Sequence, residues 1–263
     1  DPEENCRGFS WSYDNKRSGA ALPHYALLRL MGHLPEDERV HPSLKKENVR
    51  LLYLVLPRRI PPEIGAFTEL EELNASRCGV TELPPEISRL VKLQILSMEG
   101  NDLKTLPSCI GGMTELQYLG LHGNSINELP PEVGNLDELR VLDLGGNSLT
   151  ELLPEIGRLA KLQFLGLQGN QLKVLPPEIS QLGSLLHLWH GGNQLQALPE
   201  ELYQLDSLVA MGLVGNFCYP TDNKWLRGVQ LTIEGTIRDV MAIKASDPED
   251  AKWILNNVLT WNS

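Results

Sequence analysis

The stretch LQFLGLQGNQLKVLPPEISQLGS, Leu162–Ser184, is the clearest copy of a pattern that recurs along this chain. An earlier copy, Val49–Glu69, is two residues shorter, and the last copy breaks off after Asn216. Self-similarity at a fixed period of this length predicts a solenoid, in which each repeat is one structural unit. The seven copies that begin with the same leucine start 23 residues apart, at Leu70, Leu93, Leu116, Leu139, Leu162, Leu185 and Leu208.

Each repeat begins with LxxLxL, which is typical of a short strand. Side chains alternate along a strand, so the leucines point to one face and the intervening residues to the other. Stacked repeats then bury the leucines in one core and pair their strands in a parallel sheet. Cys78 fills the slot that asparagine fills elsewhere, which predicts a buried structural thiol. An asparagine column that we expect to bond to loop backbone follows the strands, at Asn101, Asn124, Asn147, Asn170, Asn193 and Asn216.

A segment of the type PPEI follows the asparagine slot: PPEI itself occurs in three copies, and PPEV and LPEI occur in one copy each. Proline suits the first turn of a helix and glutamate suits its positive end, so a short helix or 3₁₀ turn is predicted on the outer, convex side. The glutamates expected to stand there as solvated capping charges are Glu86, Glu132, Glu155 and Glu178.

The full pattern, LxxLxLxxNxLxxLPxxIxxLxx, resembles the leucine-rich repeat family. Its length and its LPxxI segment are most similar to intracellular Ras-group members, such as the Ras-suppressor, Scribble/Erbin and plant Ras-group proteins. The resemblance covers about 170 residues and implies an α/β solenoid: a curved parallel sheet on the concave side, short helices or 3₁₀ turns on the convex side, and helical caps. It also implies small GTPases or phosphatase complexes as partners, by analogy alone.

The repeats divide the chain into three parts. We predict an N-terminal flank at 1–48, a solenoid of about eight repeats at 49–217, and a C-terminal cap at 218–263. The flank contains an amphipathic stretch, PHYALLRLMGHL (Pro23–Leu34), and the cap contains two helical patterns, TIRDVMAIKA and SDPEDAKWILNNVLTW. Terminal repeats would otherwise expose core leucines, so both flanks are interpreted as caps. Neither has the clustered cysteines of extracellular caps, which favours a cytoplasmic or other intracellular location.

Charge and motif content exclude several classes of function. The chain carries 34 acidic and 23 basic residues, a net charge of −11, without a basic patch, which argues against nucleic acid as a partner. No apolar run approaches the roughly 20 residues that span a bilayer. The four cysteines form no CxxC pair, so no metal site or cofactor is predicted. Phosphate-binding, dinucleotide-binding and nucleophile motifs are also missing, and we predict that the chain is not an enzyme.

The strand residues that point away from the leucines form the predicted binding site. They put an apolar and aromatic stripe on the concave face, and exposed stripes of this kind mark interaction surfaces with aromatic anchors. Three acidic residues beside the stripe would select polar or basic partner groups. An alternative stays open, that a flank of the same chain covers the stripe. The predicted partner-binding residues are Glu72, Ile95, Glu99, Tyr118, Val141, Asp143, Phe164, His187 and Trp189.

Two sets of glycines accompany this stripe. In the fifth position of the repeat, Gly120, Gly166 and Gly212 are predicted to leave room for a partner's backbone or a flat group. In the eighth position, glycine recurs in six successive repeats, from Gly100 to Gly215, and the turn before the asparagine accounts for it.

The stretch HLWHGGN, His187–Asn193, is chemically the most suggestive. The repeat register separates its parts, because His187 and Trp189 point to the binding face and His190 points into the core. His190 takes a slot that other full repeats give to Leu, Met or Ala. We interpret it as a hydrogen-bonded core histidine, with a pH-sensitive element as the alternative.

The function predicted from these features is non-catalytic binding of a protein or peptide on the concave face. Two rivals remain at this stage. The chain could be the substrate-recognition half of a larger enzyme, such as a ligase, kinase or effector, or a structural subunit of a large assembly that binds through its caps or convex rim.

Overall fold

The structure, a computed structural model, describes residues 49–54, 59–212, 215–216 and 230–232. Its strands form one parallel sheet in which the strand order is the order of the sequence. The register is regular from β2 to β8, because each residue pairs with the residue 23 positions later, as Ile95 pairs with Tyr118. The strands are β1 (Leu51–Tyr53), β2 (Glu72–Asn74), β3 (Ile95–Ser97), β4 (Tyr118–Gly120), β5 (Val141–Asp143), β6 (Phe164–Gly166), β7 (His187–Trp189), β8 (Ala210–Gly212) and β9 (Gln230–Thr232).

The side of the repeat opposite the sheet is built from five-residue 3₁₀ turns, as the PPEI segments predict. Each turn ends where a hydrophobic residue returns to the core and its N–H bonds three residues back, as Leu136 does to the Val133 carbonyl at 3.2 Å. The leucine-rich-repeat solenoid with a parallel sheet and 3₁₀ turns is therefore confirmed. The turns are Pro62–Ala66, Pro85–Arg89, Ser108–Gly112, Pro131–Asn135, Pro154–Arg158, Pro177–Gln181 and Glu200–Gln204.

The glutamates of these turns stand in the first turn, as predicted, but they are half-buried rather than solvated. Oε2 of Glu132 and Oε2 of Glu178 are buried and have no hydrogen-bond partner among the described residues. Their favourable interaction is with the partial positive charge of the turn's free N–H groups.

The core is one continuous cluster of buried leucines and isoleucines that runs through the repeats. At the edge of this core, the asparagine column joins neighbouring repeats by hydrogen bonds. Asn147 donates to the carbonyl oxygens of Leu121 and Leu144 at 3.0 and 2.9 Å, and its Oδ1 accepts the N–H of Ile126 at 3.0 Å. Cys78 is buried, and its thiol donates to the Leu54 carbonyl at 3.2 Å, which agrees with the structural role predicted for it.

The eighth position of the repeat requires a left-handed backbone. The six glycines there, Gly100 to Gly215, have φ between 62° and 79°, which confirms that the turn explains them. The first full repeat has Arg77 in this position with φ 57°, a conformation that costs an L-residue roughly 1–2 kcal/mol.

The proposed division into domains remains a prediction. The N-terminal flank 1–48 and both predicted C-terminal helices lie outside the described residues. Strand β9 lies inside the region assigned to the C-terminal cap, where it pairs with β8 through Met211 and Leu231. The broken last repeat does not indicate this strand, whose sequence lacks the LxxLxL spacing.

Candidate functional site

The side chains on the strand face opposite the leucine core form a second apolar cluster, which we term the sheet face. The parallel register aligns them in a row across the strands, because Tyr118 pairs with Val141, and Val141 with Phe164. The Phe164 and His187 rings lie 6.4 Å apart at 47°. The stripe predicted from the sequence is thus brought together: Ile95, Tyr118, Val141, Phe164 and Trp189 lie in one cluster, which Ala210 extends.

The stripe is not exposed, contrary to the sequence-based expectation. Val141 is 0% exposed, Phe164 1% and Trp189 3%. Of the remaining predicted site residues, Glu72, Tyr118, Asp143 and His187 are also buried, and Ile95 and Glu99 are half-buried. Burial of this extent agrees with the alternative in which the stripe is covered.

Two of the three acidic residues are already hydrogen-bonded within the sheet face. Glu72 accepts the hydroxyl of Tyr53 at 2.7 Å. Glu99 accepts the Tyr118 hydroxyl at 2.8 Å and the Ser76 hydroxyl at 2.5 Å. Burial, and then the nearby carboxylates, raise the pKa of Tyr118 well above its ordinary value, so its hydroxyl remains a donor.

Asp143 is the acidic residue of the sheet face that lies beside a histidine. Its Oδ1 accepts the N–H of Gly145 at 3.0 Å and lies 3.9 Å from Nδ1 of His122, whose side chain is half exposed. Burial raises the pKa of the Asp143 carboxyl, although the neighbouring His122 and the Gly145 N–H act in the opposite direction. A cationic group placed here would favour the ionised form of this buried carboxyl.

Several buried polar atoms lack a hydrogen-bond partner within the part of the chain that the structure describes. On the sheet face these include Nε1 of Trp189 and Nδ1 of His187. In the core, both ring nitrogens of His190 are without one, so the interpretation of His190 as a hydrogen-bonded core histidine is wrong, although its place in the core is right. Burial lowers the pKa of His187 and of His190 to about 4.

The fifth-position glycines do not leave room for a partner, which corrects the prediction made for them. A methyl group on Gly166 would approach Oδ1 of Asp143 to 2.6 Å, and one on Gly212 would collide with the Trp189 ring. At Gly120 the space is taken by the side chain of Glu99. These glycines are therefore required for side chains of this chain's own neighbouring strands.

The repeat register places Ser76 and His122 on the sheet face, but the predicted site left them out, and it also left out Tyr53. A signal for His122 exists, because the seventh residue of one repeat meets the fifth residue of the next, as His122 meets Asp143. Among the described residues, no hydroxyl or thiol group bonds to His122 or Asp143, so the pair has no candidate nucleophile. Within the described ranges, no group of three or more His, Cys, Asp or Glu residues could hold a metal ion.

Comparisons with known proteins agree with the fold. The family described as Leucine rich repeat matches residues 114–172. The ectodomain of the Arabidopsis thaliana receptor kinase GASSHO1/SCHENGEN3, in complex with CASPARIAN STRIP INTEGRITY FACTOR 2, is 31% identical with a TM-score of 0.59 over 65% of this chain and 22% of its own. The plant peptide hormone receptor RGFR1, in complex with RGF2, is 35% identical with a TM-score of 0.60 over 66% of this chain and 29% of its own.

A bacterial structure shares the fold alone. An internalin (inlF) from Listeria monocytogenes is 20% identical with a TM-score of 0.61, covering 72% of this chain and 55% of its own. No curated protein matches the chain. The chain thus spans less than a third of the two plant receptor chains, and the matches indicate no enzymatic family. Among the residues with described structure, no helix has the length and apolar character needed to cross a bilayer.

Proposed function

We propose that this leucine-rich-repeat solenoid binds a protein or peptide partner along the sheet face and performs no chemistry of its own. The observation that carries the proposal is the row of apolar side chains from Ile95 to Ala210, on a face where the fold does not require them. Large aromatic residues in such a row are the usual anchors of an interface. The two plant receptor structures support the proposal, because each is named as a complex with a partner.

The chemistry of the sheet face restricts the partner. The row favours an apolar segment, and the buried indole N–H of Trp189 favours a hydrogen-bond acceptor such as a backbone carbonyl. Asp143 favours a basic group, because burial raises the pKa of its carboxyl and a nearby cation would stabilise the ionised form. We therefore infer a partner segment that is apolar and carries a lysine or arginine.

The Ras-group resemblance supports a cytoplasmic partner, such as a small GTPase or a phosphatase complex, and a scaffolding or signalling role. The plant ectodomains instead support a peptide ligand. Identification of proteins captured from the native source by mass spectrometry separates these two possibilities.

The test measures the affinity of the captured partner for the wild type and for Phe164→Ala/Trp189→Ala. Removing two anchors should weaken binding about 30-fold or more, as one hot spot alone is worth about 2 kcal/mol. The control is Val91→Ala/Val174→Ala, which removes exposed hydrophobic side chains outside the strands. Asp143→Asn, nearly equal in size, should also weaken binding. Unchanged affinity in both sheet-face variants, with the circular dichroism spectrum of the wild type, would disprove the site.

A further inference from the structure

We propose that the N-terminal stretch Pro23–Leu34, PHYALLRLMGHL, lies on the stripe in the free protein and that a partner must displace it. This inference rests on the proposed function, because it adds an autoinhibitory contact to the same site.

The burial of the stripe requires a covering segment. Side chains on a sheet stand roughly perpendicular to it, so neighbours on adjacent strands shield their sides and leave their outer ends in solvent. Val141 and Phe164 are nonetheless 0% and 1% exposed, and this burial arises within a single chain. Atoms above the sheet face are needed to produce it, and the strands supply only the floor.

The charge of the stretch Pro23–Leu34 is complementary to that of the sheet face. The sheet face carries the carboxylates of Glu72, Glu99 and Asp143. The stretch Pro23–Leu34 contains no carboxylate and one guanidinium, Arg29. The other amphipathic candidate, SDPEDAKWILNNVLTW near the C-terminus, contains three acidic residues and one lysine, and it would place like charges against the sheet face.

The composition of the stretch Pro23–Leu34 also suits the sheet face. The stretch is rich in the large apolar side chains that a row of Tyr118, Phe164 and Trp189 would bury. Its backbone also supplies acceptors for the Trp189 indole N–H, which lacks a partner among the described residues. The apolar side chains of the stretch are those of Tyr25, Leu27, Leu28, Leu30, Met31 and Leu34.

The connection between the stretch Pro23–Leu34 and β1 is long enough to reach the stripe. The connection from Leu34 to Val49 contains residues 35–48, which span roughly 50 Å when fully extended. The stripe from β3 to β8 begins two strand spacings from β1, or about 10 Å, and ends about 34 Å from it. The stretch can therefore reach every strand of the stripe without strain on the connection.

Photo-cross-linking of the full chain tests the placement. A benzophenone amino acid in place of Leu28 should cross-link to peptides from β4 to β7, identified by mass spectrometry. The same probe in place of Leu255, in the C-terminal candidate, should not. Cross-links from Leu28 to other regions, or from Leu255 to the sheet face, overturn the proposal. So do cross-links found only between two copies, which denaturing gels separate from those within one.

Binding of a labelled peptide with the sequence of Pro23–Leu34 tests the regulation. A bound stretch competes with the added peptide, so the wild type should bind it weakly. Leu27→Asp/Leu30→Asp should bind it at least tenfold more tightly, because a site free one tenth of the time lowers apparent affinity tenfold. The matched control Leu44→Asp lies in the same flank outside the stretch. Equal affinity in all three chains overturns the inference. If partner binding still depends on Phe164 and Trp189, the proposed function survives that failure.

Discussion

A single residue, His190, sets a pH limit on the stability of the solenoid. It occupies a leucine slot, is 0% exposed, and neither ring nitrogen has a hydrogen-bond partner among the described residues. The sequence identifies its place in the core, because the repeat register fixes which way each side chain points. The register says nothing about hydrogen bonds, and the absence of a partner for its ring could not be predicted.

The substitution His190→Leu should make unfolding less sensitive to acid. Burial lowers the pKa of folded His190 from its ordinary 6.5 to about 4. The unfolded chain then binds the proton first, so stability is fully present above pH 6.5 and falls as the pH decreases toward 4. The loss from this residue approaches about 3 kcal/mol at pH 4. His187 adds to the decline in both chains, because burial lowers its pKa to a similar value.

Urea unfolding of the wild type and of His190→Leu at pH 7.5, 6 and 5 gives the free energy of unfolding at each pH. The variant should be more stable at every pH and should decline less steeply. An identical decline in the two chains would show that the folded imidazole titrates as it does in water.

At the scale of the repeat element, the sequence predicts most of what is observed. Strands, 3₁₀ turns, the asparagine column and the left-handed glycine slot recur every 23 residues, and each has a local cause that a single repeat displays. Strand β9 was missed because its pairing with β8 does not depend on the repeat pattern. The filling of the space beside Gly166 was missed because it depends on the side chain of the adjacent repeat.

The asparagine column should contribute a large share of the stability between repeats. Asn147→Ala would leave the Ile126 N–H and the carbonyls of Leu121 and Leu144 without this partner in a buried loop. An unpaired buried polar group costs roughly 1–3 kcal/mol, so we expect a loss of about 3 kcal/mol or more. Thermal and urea unfolding measure it. The control Asn135→Ala removes an exposed amide from a 3₁₀ turn and should change stability by less than about 0.5 kcal/mol.

At the scale of the whole molecule, two sets of interactions join the repeats. The leucine core and the hydrogen bonds of the sheet connect each repeat only to its neighbours, and a repeat pattern is sufficient to predict them. The sheet-face cluster spans β3 to β8 on the opposite side and is almost fully buried, although the repeat does not require apolar residues there. The period aligns these side chains in a row but does not determine what lies above them, which is why the sequence predicts the row and not its exposure.

A defect in the central repeat should therefore separate the molecule into two parts. Leu142→Ala removes a fully buried side chain from β5 and should cost about 2–5 kcal/mol. In the wild type we expect the amides of Met98 and Leu167, which bond to Gly120 and Trp189, to exchange hydrogen at similar slow rates through global unfolding. In Leu142→Ala the two rates should diverge, because the link between the halves is weakened.

The control Met211→Ala empties the core at β8, near one end, where a defect loosens only the adjacent repeats. It should leave the Met98 rate almost unchanged relative to the wild type. If the Met98 and Leu167 amides still exchange together in Leu142→Ala, nearest-neighbour contacts do not set the cooperativity. In that case coupling across the buried sheet face sets the cooperativity. Adding Leu27→Asp/Leu30→Asp to Leu142→Ala should then separate the exchange rates of the two amides.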